Sequence, residues 1–182
     1  MRAPRGRVPR FRGSGRGLVV ALVLLLLAGC GPDDTITVQG VDEPAEVPPR
    51  DAVLAEGAWE ETAAWIRREN ADGRPVLVNI LASWCAPCER ELPLLHDAYV
   101  ANPDIAFLGI DHLDARADAE QFVDEQDIRF PTIYNLGGEV AFAVEGRGMP
   151  TTVLFDTDGT LVAHHTGEMT PAALDDFLDT VR

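Results

Sequence analysis

Val76-Leu77-Val78-Asn79-Ile80-Leu81-Ala82-Ser83-Trp84-Cys85-Ala86-Pro87-Cys88 is an apolar run that ends in two cysteines with two residues between them. The segment 76–81 is apolar on both faces, which is the pattern of a central strand in a sheet covered on both sides. Two cysteines at this spacing can close a disulfide across the first turn of a helix and can open it again. A strand feeding such a helix start is the setting of a thiol–disulfide site. A bridge between residues three apart closes almost no loop, so on chain-entropy grounds it adds little stability. Its purpose is chemistry.

Outward from this run, the sequence alternates strands and helices. Residues 58–70, with Trp59, Ala63 and Ile66 on one side and Trp65 one face over, predict a short amphipathic helix. A helix is expected from about Ala86 to Tyr99, burying Leu92, Leu95, Ala98 and Tyr99, with Pro93 as an internal kink. Ile105–Ile110 is a second buried strand, and strand, helix and strand at this spacing form a right-handed βαβ unit. Arg116–Gln126 reads as a helix, 129–134 as a short strand interrupted by Pro131, and 137–146 is ambiguous. Thr151–Phe155 and Thr160–His164 are strands joined through Asp158-Gly159, a hairpin signal. Thr170 as N-cap and Pro171 at the first position start the last helix.

The chain has 182 residues and a formal net charge of −15, which argues against nucleic acid as a partner. It contains no Lys. Arg2, Arg5, Arg7, Arg10, Arg12 and Arg16 precede an apolar run, Leu18–Leu27, and no acid appears before Asp33. This is the charged and apolar pattern of a secretory signal, and the run is too short for a comfortable membrane span. It ends Leu27-Ala28-Gly29-Cys30. Residues 1–29 are therefore expected as a lipoprotein-type signal peptide, 30–50 as a lipidated Cys30 with a flexible, Pro-punctuated tether, and 51–182 as one folded domain. The alternatives are an ordinary secretory signal and an uncleaved anchor; all three place the domain outside the membrane. Past Cys30, nine Arg face thirty acids, which suits a solvated surface.

The arrangement resembles the thioredoxin superfamily, and within it the TlpA/ResA-like branch of membrane-tethered thiol–disulfide oxidoreductases. The resemblance covers about residues 52–182. It rests on Val78–Cys88, on Glu91-Leu92-Pro93, and on Gly148-Met149-Pro150-Thr151-Thr152. It implies an α/β fold: a central mixed β-sheet flanked by helices, with a helical insertion between the βαβ and ββα halves. It implies Cys85 as exposed nucleophile, its thiolate stabilised by the helix N-terminus, and Cys88 as buried resolving cysteine. Trp84 would shield the pair and shape a docking surface with Ala86, Pro87, Met149 and Thr151. Pro150 would be cis and face the disulfide, and the backbone of Met149 would pair with substrate. Glu91 would be partly buried near the cysteines and shuttle a proton. Asn79 departs from thioredoxin itself, which has an Asp in that strand register, and leaves proton handling to Glu91.

The resemblance further implies a bacterial, extracytoplasmic, lipid-anchored protein. It would exchange disulfides with exported proteins and with a membrane electron donor or acceptor. One task of the family is keeping apocytochrome c thiols reduced. No His lies between the cysteines, which leans toward a reducing pair. A dithiol oxidase in oxidative folding would use the same residues in reverse. A copper-binding module is a further alternative, but His164 and His165 point to opposite faces of one strand. No metal, and no cofactor beyond the redox disulfide, is expected. Aspartates 111, 114, 118, 124 and 127 read as a solvated acidic face.

Overall fold

The computed structural model describes residues 35–182. The signal peptide and Cys30 lie outside the described residues. Six strands form one mixed sheet in the order β1-β4-β3-β2-β5-β6. They are β1 (Ala55–Glu56), β2 (Val76–Leu81), β3 (Ala106–His112), β4 (Thr132–Asn135), β5 (Thr151–Phe155) and β6 (Leu161–Thr166). The strands β1, β4, β3 and β2 run parallel; β5 and β6 are antiparallel to their neighbours.

Alternation along β2 sorts its side chains into two cores. Val76, Val78 and Ile80 pack with Ala63, Trp65 and Ile66 of α1 (Trp59–Ala71) and Val140 of α4 (Glu139–Ala143). Leu77 and Leu81 pack on the other face with Cys88, Leu92 and Leu95 of α2 (Ala86–Ala101). That side also holds Phe122 of α3 (Arg116–Glu125) and Leu174, Phe177 and Leu178 of α5 (Pro171–Leu178). The helix caps follow the sequence: Thr170 Oγ1 accepts from Ala173 N at 3.2 Å and Pro171 opens α5. In the β5–β6 turn, Asp156 Oδ1 accepts from Asp158 N and Thr160 N, and Gly159 adopts φ 76°.

Two features were not expected. Within the described residues, the expected tether, 35–50, packs on the domain instead of extending away from it. Thr37 bridges Thr160, Val38 is fully buried, and Arg67 and Arg68 donate to the carbonyls of Val38 and Pro48. Apolar residues at Ile36, Val38, Val41 and Val47 supply the adhesion. Second, Asp111 and Asp114 are not solvated: both are buried. Asp111 is the penultimate residue of β3, opposite Leu81, and shares the face covered by α2.

Candidate active site

Cys85 and Cys88 form a disulfide where β2 runs into α2. Cys85 is the N-cap of α2; Ala86 and Pro87 fill its first two helical positions, where a missing N–H costs nothing. Cys88 N donates to Cys85 Sγ at 3.2 Å and to Cys85 O at 2.9 Å. The sulfur of Cys85 therefore already accepts from a first-turn N–H of a sixteen-residue helix, the environment that favours a thiolate once the bond opens.

The oxidised pair is less open than expected. Cys85 is 4% exposed and Cys88 2%. Both sulfurs belong to the apolar cluster of α2 and α5, and Met149 packs against that cluster. Trp84, next to Cys85, is 58% exposed, so its ring faces solvent and is not part of the core. The Met149–Pro150 bond is cis, as expected. Thr151 opens β5 opposite Ile80, and its Oγ1 donates to Gly148 O at 2.7 Å, fixing the loop beside the disulfide.

Glu91 is 2% exposed, one turn beyond Cys88. Asn79 Nδ2 donates to its Oε1 at 2.9 Å, and Met169 N donates to its Oε2 at 2.5 Å. Asn79 also donates to Thr152 Oγ1 at 2.9 Å. Burial pushes the Glu91 carboxyl above the ordinary carboxylate range; its two donors oppose this and the Glu168 charge adds to it. The Glu168 carboxylate in turn meets Arg90 at 2.6 Å. A carboxyl poised this way can hold a proton nearer to neutral pH than a solvated one.

Sequence reasoning missed the opposite flank of the site. Asp114 accepts from Ser83 N and Ser83 Oγ, each at 2.7 Å, and so clasps the loop two residues before Cys85. Tyr134 Oη donates to the Asp114 carbonyl. The only available signal was the strand register that turns Asp111 inward. His164 and His165 alternate on β6 and neither joins the site; among the described residues no group of three or more His, Cys, Asp or Glu side chains could hold a metal.

Known proteins are similar to this chain in sequence and in fold. A thiol–disulfide oxidoreductase ResA of Bacillus thuringiensis is 27% identical over 118 residues, covering 64% of this chain and 68% of the relative. A ResA of Oceanobacillus iheyensis is 27% identical over 168 residues, covering 90% and 83%. The exposed lipoprotein thioredoxin Etrx1 of Streptococcus pneumoniae superposes with a TM-score of 0.56 at 24% identity, covering 62% of this chain and 90% of that one, and shows the shared fold. The AhpC/TSA family model matches residues 52–164, which span the strand, the cysteine pair and the cis-proline loop. The chain thus belongs to the AhpC/TSA family of the thioredoxin fold and is a thiol–disulfide oxidoreductase similar to the ResA proteins.

Proposed function

We propose that this protein reduces disulfides of exported proteins on the outer side of a bacterial cell membrane, tethered through a lipidated Cys30. The observation that carries the catalytic part is the placement of Cys85 Sγ at the N-cap of α2 with the buried Glu91 one turn past Cys88. Cys85 thiolate attacks a substrate disulfide, a mixed disulfide forms, and the first substrate sulfur leaves as thiolate. Cys88 then attacks Cys85 Sγ. The second substrate sulfur leaves, two electrons have passed to the substrate, and Cys85–Cys88 is oxidised. Glu91 takes the Cys88 proton and returns it to a leaving thiolate.

Support for the extracytoplasmic, anchored setting comes from the signal-like segment ending at Cys30 and from the likeness to a protein named as an exposed lipoprotein. Among the described residues no helix is long and apolar enough to cross a membrane. Support for the reducing direction comes from the ResA relatives and from the uncharged Ala86-Pro87 pair. A membrane electron donor re-reduces the protein, and apocytochrome c is one candidate substrate.

The test is the reduction potential of Cys85–Cys88, read from Trp84 fluorescence in defined thiol buffers. A value near about −270 mV supports a reductant; one near −120 mV makes the protein an oxidant. Failure to cycle removes the redox reading and leaves copper binding, which titration of the reduced protein with copper then decides.

A further inference from the structure

Two carboxyl groups lie on the flank of the site away from Glu91. Asp111 is fully buried on β3 opposite Leu81, and neither of its oxygens meets a hydrogen-bond donor among the described residues. The neighbouring acid is Asp114, itself buried. Ionised carboxylates only accept, so this contact becomes a hydrogen bond only when a proton lies between the two groups. Asp114 meanwhile holds Ser83 N and Ser83 Oγ, and through them the loop that delivers Trp84 and Cys85.

We propose that buried Asp111 holds a proton that it donates to Asp114, and that this contact positions the redox loop. With the proton on Asp111, the Asp114 oxygens stay turned to Ser83 N and Ser83 Oγ. When Asp111 loses the proton, two adjacent carboxylates repel beneath the loop and the clasp loosens. Asp111 is a positioning residue: it acts on Cys85 through Asp114 and Ser83. The charged and titratable groups around it are Asp114 and Arg116 after β3 and Tyr134 on β4, which stands opposite Asp111. Arg116 opposes the effect and is drawn off to the Leu54 carbonyl and Glu120. Burial first, and the Asp114 charge next, push the Asp111 carboxyl up to about 8.

The inference rests on the reading of Cys85–Cys88 as a redox pair. Its test is the alkylation rate of Cys85 by iodoacetamide in the reduced protein, followed from pH 5 to pH 10. Wild type is expected to show two steps, one for the Cys85 thiol and one for Asp111. Asp111→Asn keeps the shape and can still donate to Asp114 but cannot ionise; it is expected to lose the second step. A cycling protein whose Asp111→Asn profile equals wild type overturns the inference alone. A wild type that cannot be reoxidised overturns the redox reading and this inference with it. Should Asp111→Asn not fold, the infrared spectrum decides, recorded in a Glu91→Gln background. A protonated-carboxyl band that persists at pH 7 and disappears near pH 8 supports the pair, and the lack of such a band overturns it.

Discussion

Replacing Glu91 separates its two duties, accepting hydrogen bonds and holding a proton. Folded Glu91 accepts from Asn79 Nδ2 and Met169 N. Glu91→Gln can keep both partners. Its carbonyl takes the Met169 N–H, and a flip of the Asn79 amide lets Asn79 Oδ1 accept from the new NH₂ and from Thr152 Oγ1. The cost should be about 1 kcal/mol or less, the net worth of one ordinary hydrogen bond. Glu91→Leu offers no acceptor and strands both buried donors. At about 1–3 kcal/mol for each stranded group, the loss should be about 2–6 kcal/mol. Urea unfolding of the oxidised protein at pH 5 and pH 8 measures both. The pH adds a second signature. Because the folded carboxyl is held above its ordinary range, the folded state binds more protons at Glu91 than the unfolded chain does. Wild-type stability from this group is therefore present at low pH and lost as pH rises through the folded value. Gln has no such dependence, so the advantage of wild type over Glu91→Gln should shrink between pH 5 and pH 8. A Leu variant no weaker than the Gln variant, or a wild-type advantage that stays constant or widens with pH, would refute this account.

Cys88→Ser leaves the attacking sulfur and removes the resolving one, so mixed disulfides on Cys85 should accumulate on non-reducing gels. Free, unlinked protein under turnover would point to a different nucleophile. Trp84→Ala removes an exposed ring. Stability should stay within about 0.5 kcal/mol, while KM for a protein disulfide rises and reaction with a small disulfide is unchanged; equal losses on both would contradict a docking role. Gly159→Ala adds a Cβ 2.5 Å from Val38 Cγ2 at φ 76°. Thermal and urea unfolding should show a loss of about 1–3 kcal/mol, and no loss would mean that the segment around Val38 does not pack there.

Much of this arrangement was legible because local rules and tertiary packing agree. The apolar run 76–81, Thr170-Pro171 and Asp158-Gly159 each carry their own start, stop or turn signal, and each became the expected element. Ala55–Glu56 was missed because a two-residue strand has no periodicity; only its pairing with Ile133 and Tyr134 defines it. The ambiguous 137–146 holds the short α4, launched from Gly138 at φ 76°. At the site, the cysteines, the cis-proline and buried Glu91 were readable from spacing and resemblance. Asp111 and Asp114 were hidden because their composition matches that of the neighbouring exposed acids, and only strand register separates inward from outward. Glu69 was hidden likewise: it lies fully buried on α1, where Arg50 and Arg74 reach in to neutralise it.

The segment around Val38 bears on how the sheet meets other chains. A sheet edge offers unpaired N–H and C=O groups as a template for further strands. One edge here is only two residues long, which blunts it. The other, β6, is met at its start by Ile36–Val38: Leu161 N donates to Ile36 O and Val38 N to Gly159 O, both at 2.9 Å. A protein that exchanges disulfides with other proteins meets strands that could pair with a bare edge. A chain begun at Asp51, where the sequence alone would place the domain boundary, would bare the seat of Val38 together with the first rungs of β6. It should keep its redox chemistry and lose its resistance to self-association.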